Sequence, residues 1–490
     1  MRKLLVVLGI PIDLLDMPDT LDRIEQMVHV GRATGRVHQI ATVNADFVVQ
    51  ALFDPELRYL LQNADLLTAD GMPLVWGARC LGVQLQGRVA GADLVPALAE
   101  RAGERGFSIY FLGGEPGIAA QAASLLKLKC PELRVAGIHS PPFSPVLEMD
   151  TSFLDDIRST GPDILLVAFG NPKQEKWIGM YGPGLGVPVM IGVGGSLDFV
   201  AGHIRRAPEW MQRSGFEWLY RLLQEPRRLF RRYVIDLVIF SSYFLRQFWT
   251  MRLVPRSSHQ HTAAYLNITK GKAVINLCGC LTMHSLDTFH QVAQQALKAS
   301  PHILVNLAQI EFLDSSAIGA FLELGKQARS ADGELSLTAV PARIHQTLAL
   351  LKLEQLFPVY PDVEAYLAEW TSKSTSPSTM VAGRIPNSSG NRIWSVLKGC
   401  RVLDASTADD FIATGFCALA SNPFLICDLS GTVFLASAGL AALAQLRQKA
   451  LNLGGEFRVV NCSNDVLRVI KLARFDQVLS LYSDFSLAVA

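Results

Sequence analysis

Asp70 stands in the run Ala69-Asp-Gly-Met-Pro73, directly after an apolar stretch and before a glycine. A carboxylate in such a loop can line a cleft and take a proton from a hydroxyl. An Asp-Gly turn with no chemical task is the other reading of these residues. Thr42-Val-Asn-Ala-Asp46 ends another apolar strand. Loops beyond the carboxyl ends of parallel strands are where such sheets bind ligands, which makes Thr42, Asn44 and Asp46 candidates. A helix N-cap is the alternative for Asn44 and Asp46. Phe111-Leu-Gly-Gly-Glu-Pro-Gly117 leads through Gly113 and Gly114 into a helix whose first amides suit a diphosphate. It is neither GxGxxG nor a Walker motif, so neither dinucleotide binding nor ATP hydrolysis is indicated. Phe169-Gly-Asn-Pro-Lys-Gln-Glu-Lys-Trp177 brings Lys173, Gln174 and Glu175, able to make ionic and hydrogen-bonding contacts or to form a solvated helix start.

The longest chemical signal runs from Gly192 to Tyr233. It begins as a glycine turn with Gly194, Gly195 and Asp198 and continues into an aromatic, arginine-rich segment. Eight arginines lie between Arg205 and Arg232, against Glu209, Glu217 and Glu225, in a chain of net charge +1. Such arginines can neutralise a phosphate or attract anionic lipid, and both readings stand.

These residues need elements to hold them. With 490 residues, 50% hydrophobic and 18% charged, the chain has material for about three domains. Near-neutral charge argues against a general nucleic-acid binder. The eight scattered cysteines form no CxxC pair, which disfavours a zinc site and suits a reducing compartment. Met1–Asp13 is too short and too interrupted for a signal peptide and reads as a first strand. Val234–Leu245 is about half the length of a membrane span, and suits either a membrane interface or a buried helix.

Short apolar strands at Val37–Val43, Phe107–Leu112, Asp163–Phe169 and Val187–Val193 alternate with helices such as Gly117–Lys129. This predicts an α/β fold with a Rossmann-like, mainly parallel sheet. Two punctuated segments follow, at Pro255–His261 and Thr371–Gly390; the histidines His259 and His261 read as solvated linker residues. Beyond them Ile303–Gly319 matches Leu425–Leu440, at an offset of 122 residues that Tyr360 and Tyr482 keep. Such a duplication predicts two small tandem α/β domains. The expected boundaries are 1–250, 262–370, a linker at 371–390, and 391–490.

The first region resembles the WecG/TagA/CpsF family of bacterial glycosyltransferases. The resemblance rests on Thr42-x-Asn-Ala-Asp46, Asp70-Gly71, Arg88-Val-Ala-Gly-Ala-Asp93, Pro172-Lys-Gln-Glu-Lys-Trp177, Gly194-Gly-Ser-Leu-Asp-Phe199 and Arg206-Ala-Pro208 through Arg232. It implies transfer of a hexose, N-acetylmannosamine-type, from a UDP-sugar to a polyprenyl-diphosphate-linked saccharide for surface polysaccharide, by a peripheral enzyme at the inner face of the cell membrane. It implies inversion in one displacement with no cofactor or metal, with Asp70 as base and Thr42 beside the sugar. Arg88 and Asp93 would bind substrate, and Arg213, Arg221, Arg228 and Arg231 would face the leaving diphosphate or the lipid.

Phe312-Leu-Asp-Ser-Ser-Ala-Ile-Gly319 resembles the STAS (anti-sigma factor antagonist) domain. That family's phosphorylated serine matches Ser316, and an anti-sigma or kinase-like partner would follow; a plain helix cap is the other reading. In the second copy Asp314, Ser315 and Ser316 become Ala436, Ser437 and Ala438, so the acceptor hydroxyl is missing. The competing function is a partner-switching adaptor with an inactive transferase domain. A homo-oligomer is compatible with either.

Overall fold

The structure is a computed structural model and describes residues 1–85, 87–214, 216–252, 262–269, 271–354, 356–373, 383–386 and 393–489. The first expected linker, with His259 and His261, lies outside the described residues.

Six parallel strands form the sheet of the first domain. In spatial order they are Leu66–Ala69, His38–Val43, Val189–Gly192, Ile164–Ala168, Ser108–Gly113 and Arg134–His139. Apart from the edge strand Arg134–His139, the sheet is buried on both faces, so its strands are mostly apolar runs. Alternate residues of Ile164–Ala168 enter different cores: Ile164 and Leu166 join one, Leu165 and Val167 the other. The first sheet strand by chain order, His38–Val43, and the last, Val189–Gly192, lie side by side. The chain leaves His38–Val43 towards one edge and reaches Val189–Gly192 from the opposite side. A crevice at the carboxyl ends of strands beside such a reversal is where ligands bind.

The amino-terminal residues form two strands where one was expected. Leu4–Val7 and Ile10–Asp13 pair as an antiparallel hairpin outside the six-stranded sheet. The intervening Leu8-Gly9 turn takes positive φ at both residues, which apolar patterning alone does not reveal. The domain closes with the 27-residue helix Pro226–Arg252.

The two repeats keep their offset through every corresponding helix. Leu286–Ala299 matches Ala408–Ser421, Ser315–Arg329 matches Ser437–Asn452, and Ala342–Leu350 matches Asn464–Leu472. Each has a five-stranded mixed sheet. The strand Gly383–Pro386, inside the segment read as linker, pairs with Ile393–Lys398 as an edge of the second sheet.

Both repeats turn the same helix start toward the first domain. In the first repeat, a Cβ added at Gly319 would meet Leu4 Cβ at 2.8 Å, and Gln247 Nε2 lies 3.3 Å from Ser315 Oγ. In the second, the Ser437 amide donates to the buried Glu56 carboxylate, which also pairs with Lys176 at 3.1 Å.

Candidate functional site

Asp70 follows the strand Leu66–Ala69, and its amide donates to Val43 O at 2.8 Å, holding it at the carboxyl edge of the sheet. Val89 N donates to Ala69 O at 3.0 Å, which draws Arg88 alongside. Burial pushes the Asp70 carboxyl up to about 6; Glu217 and Asp93 add to the shift, while Arg88 and Arg221 oppose it. The group is thus mostly ionised at neutral pH yet sits near the range of an effective proton acceptor.

Thr42 pairs in register with Thr68, two residues before Asp70. Thr42 is buried, and a Cβ added at Gly91 would come 3.3 Å from its Oγ1 and 2.4 Å from Ser196 Oγ. Thr42, Gly91 and Ser196 therefore converge at the start of the helix Gly91–Arg105, whose first turn has no side-chain cap. Sequence reasoning missed Gly91 and Ser196 as site residues, although both lie inside motifs it had singled out. Asn44 caps its helix, its side chain accepting from Phe47 N at 3.1 Å. Asp46 accepts from Gln50 Nε2 at 2.9 Å and lies near Asp236 of the last helix.

Four charged side chains form a network next to Asp70. Arg206 binds Asp93 through both terminal nitrogens, at 2.5 and 2.7 Å, and Arg88 donates to Glu217 at 2.7 Å. Arg88 also approaches Asp93 at 3.7 Å, and Arg206 approaches Glu217 at 3.4 Å. Arg88 and Asp93, expected to bind substrate, are here engaged with protein, and the network pins the helix Glu217–Gln224 beside Asp70. Glu217 and Arg206 were not foreseen in this role, because neither is near Arg88 or Asp93 in sequence. Arg221, on that pinned helix, lies over the Phe199 ring at 5.1 Å and acts on Asp70.

Gln174 and Glu175, also expected to contact substrate, are almost fully buried, at 1% and 0% exposure. Gln174 accepts from the Gly194 amide at 2.9 Å and donates to Glu175 Oε1 at 2.8 Å, so the pair supports the glycine turn from within the protein. A Cβ at Gly192 would meet Glu175 Oε1 at 2.5 Å, so glycine leaves the room that pair occupies. Burial pushes the Glu175 carboxyl up to about 8. Lys173 instead reaches outward, 4.5 Å from the Phe143 ring and 5.2 Å from Phe169, with partial burial lowering its affinity for the proton. Asp198 closes the turn, its carbonyl accepting from His203 N at 3.0 Å; Gly195 is exposed. Gly113 and Gly114 take φ of 99° and 78° before the helix Ile118–Lys129.

Arg231 is exposed on the long last helix, while the side chains of Arg213 and Arg228 lie outside the described residues. Along this helix Phe230, Val234, Leu237, Val238, Leu245 and Trp249 form an exposed apolar stripe. Its other side buries Asp236, Phe240 and Gln247. The segment Val234–Leu245 is thus buried on one side, as the buried-helix reading expected, and apolar and exposed on the other. No described helix is long and apolar enough to cross a membrane. Among the described residues no group of three or more His, Cys, Asp or Glu side chains is placed to hold a metal ion.

Ser316, the expected phosphoacceptor, is fully buried and its Oγ has no hydrogen-bond partner. Its neighbour Ser315 touches Gln247 and Met251 of the last helix, so the motif packs against the first domain and is not displayed for an outside partner.

Solved anti-sigma factor antagonists match over 22% of this chain. SpoIIAA in its unphosphorylated form is 19% identical, with 98% of that chain covered and a TM-score of 0.20. The Bacillus cell fate determinant SpoIIAA in the phosphorylated form is 22% identical, with 99% covered and a TM-score of 0.20. A complex of SsGBP and GDP matches over 54% of this chain and 96% of its own at 11% identity, with a TM-score of 0.16. The family model described as "Mlab, STAS domain" matches residues 265–358, and that described as "STAS domain" matches 396–488. The model of the glycosyl transferase WecG/TagA/CpsF family matches residues 5–253, a span that contains Asp70, Thr42 and the whole charged network. With half its length in that match, the chain belongs to the WecG/TagA/CpsF glycosyltransferase family and carries two STAS domains behind its catalytic domain.

Proposed function

We propose that this protein is an inverting, metal-independent hexosyltransferase. It moves an N-acetylmannosamine-type hexose from a UDP-sugar to a polyprenyl-diphosphate-linked saccharide in bacterial surface polysaccharide synthesis. The observation that carries this reading is the Asp70 carboxyl, half-buried at the sheet edge, raised to about 6, and flanked by Arg88 and Arg221. Asp70 takes the proton of the acceptor hydroxyl as its oxygen bonds to the anomeric carbon. The bond from that carbon to the UDP oxygen breaks on the opposite face, which inverts the centre. Charge developing on the leaving diphosphate is met by amides opening the helix Gly91–Arg105 and by Arg221, groups fixed before the reaction begins. Thr42 and Ser196 line the same end of the crevice.

The exposed stripe from Phe230 to Trp249, with Arg231 and Arg246 exposed on the same helix, suits a helix lying in the interface of an anionic membrane. It would bring the site to an acceptor anchored in lipid. The STAS domains, packed against the catalytic domain through Ser315 and Ser437, regulate it from within the chain.

UDP release measured with purified protein, UDP-N-acetylmannosamine and a polyprenyl-diphosphate saccharide tests this reading. Transfer is expected from the natural protein and none from Asp70→Asn, with unchanged circular dichroism. Wild-type turnover by Asp70→Asn removes Asp70 as base. No turnover with any UDP-sugar, together with capture of an anti-sigma or kinase-like partner, favours the adaptor reading.

A further inference from the structure

A cavity of about 300 Å³ lies where the catalytic domain and both STAS domains meet. It shares no lining residue with the Asp70 crevice. The catalytic domain contributes Arg58 and Tyr59, the first STAS domain Arg329 and Lys352, and the second Arg401 and Phe434.

The charge around this space is unbalanced. Four cationic side chains line it, against Glu334 and Asp465. Arg401 is engaged by Glu334. The other three donate to neutral oxygens, and Asp465 acts on two of them, Arg58 and Lys352. Arg58, only 7% exposed, reaches Ala51 O at 3.4 Å; Arg329 reaches Asn63 Oδ1 at 3.1 Å; Lys352 reaches Leu52 O at 2.6 Å. Burial holds all three below their ordinary proton affinities. Like charges crowd here, Arg58 against Lys352 and Arg329 against Arg401; an anion placed among such cations stabilises them, and guanidinium groups favour the forked geometry of phosphate. One wall is flat and apolar: Tyr59 stacks on Phe434 with ring centroids 3.8 Å apart and planes 19° from parallel. The volume is at the lower end of small-molecule sites and matches a mononucleotide.

We propose that this junction binds a phosphate-bearing small molecule of mononucleotide size, its phosphate held by Arg58 and Arg329 and its flat portion laid along Tyr59 and Phe434. Such a ligand touches all three domains at once and locks the STAS domains onto the catalytic domain. The site is independent of the donor sugar and of the catalytic role of Asp70.

The test is calorimetric titration of the full chain with pyrophosphate and with AMP, GMP and UMP, using adenosine, guanosine and uridine as phosphate-free controls. At least one mononucleotide is expected to bind, its nucleoside at least tenfold more weakly. Arg58→Gln and Arg329→Gln are each expected to weaken binding at least tenfold. Arg401→Gln, at a half-exposed position that does not threaten folding, is expected to weaken it severalfold. Hydrogen exchange should show ligand protection in Pro55–Asn63 and Ala342–Leu350. The proposal is overturned if no phosphate-bearing probe binds at millimolar concentration. It is equally overturned if the arginine variants bind normally, or if protection is confined to the residues around Asp70. None of these failures would alter UDP release by the catalytic site.

Discussion

Gln247 and Ser315 meet across the boundary between the catalytic domain and the first STAS domain, with Nε2 and Oγ 3.3 Å apart. The same Gln247 side chain accepts from Leu8 N at 2.8 Å and donates to Val6 O at 2.9 Å. One fully buried amide therefore joins the amino-terminal hairpin, the long helix Pro226–Arg252 and the STAS motif. A charge placed at this junction has no water to solvate it. Ser316→Asp is expected to loosen the junction, seen as faster hydrogen exchange at Leu4–Val7. Ser437→Asp, set against the Glu56 carboxylate, is expected to loosen Pro55–Asn63 instead. Unchanged exchange in both variants would show that the packing does not depend on these helix starts.

The acid limb of the pH profile should report Asp70. A base must be ionised to act, so kcat/KM is expected to fall about tenfold per pH unit below about 6. Removing a neighbouring negative charge favours the ionised form, so Glu217→Gln moves the limb to lower pH. Removing the neighbouring positive charge does the reverse, so Arg88→Met moves it higher. Limbs that shift in the same direction in both variants would contradict the electrostatic assignment.

Gly91 is expected to tolerate no methyl group while Ser196 keeps its hydroxyl. Gly91→Ala forces a 2.4 Å approach to Ser196 Oγ, and overpacking of this kind costs about 1–3 kcal/mol. Activity should fall sharply and the melting temperature should drop. Adding Ser196→Ala removes the closest atom and should restore most of the lost stability. A double variant as unstable as Gly91→Ala alone would show that Ser196 is not the obstacle.

Glu175 sets a pH dependence of stability opposite to that of a salt-bridged acid. Its folded carboxyl is raised from the ordinary 4.5 to about 8. Between those values the unfolded chain is ionised while the folded chain stays protonated, so stability is lost as pH rises from about 4.5 to about 8. Glu175→Gln should flatten this decline, measured as thermal midpoints at pH 5, 6.5 and 8. A decline as steep as in the natural protein would assign the effect elsewhere.

The exposed helix stripe predicts reversible membrane attachment. The double variant Leu237→Ser/Trp249→Ser alters only exposed side chains and should fold normally. It is expected to lose most sedimentation with vesicles containing anionic phospholipid. Undiminished sedimentation would show that these side chains do not meet lipid.

What the sequence disclosed follows from the range over which its signals act. The parallel strands were legible because each is a local apolar run, and the repeat was legible because an offset of 122 residues survives in residue identity from Ser315 to Ser437. The placement of Thr42 and Asp70 at the carboxyl ends of strands was legible because a strand end and a following loop lie next to each other in the chain. Contacts between distant segments left no such pattern. Nothing near Arg88 announces Glu217, and nothing near Glu56 announces the Ser437 amide. The apolar stripe of the last helix gave its period, but not which side would meet Phe240's neighbours and which would remain open. Buried polar groups were the hardest: Gln174 and Glu175 look like surface ligands until the tertiary fold places the glycine turn upon them.

The hairpin strand Leu4–Val7 is divided between two interiors. Leu5 and Val7 pack within the catalytic domain, while Val6 packs among residues of the first STAS domain that begin at Ala273. This strand therefore gains its last neighbours only when the first STAS domain has folded against it. A chain cut short before the first STAS domain would leave Val6 uncovered. The interior of the first domain is thus finished by residues that lie more than 260 positions further along the chain.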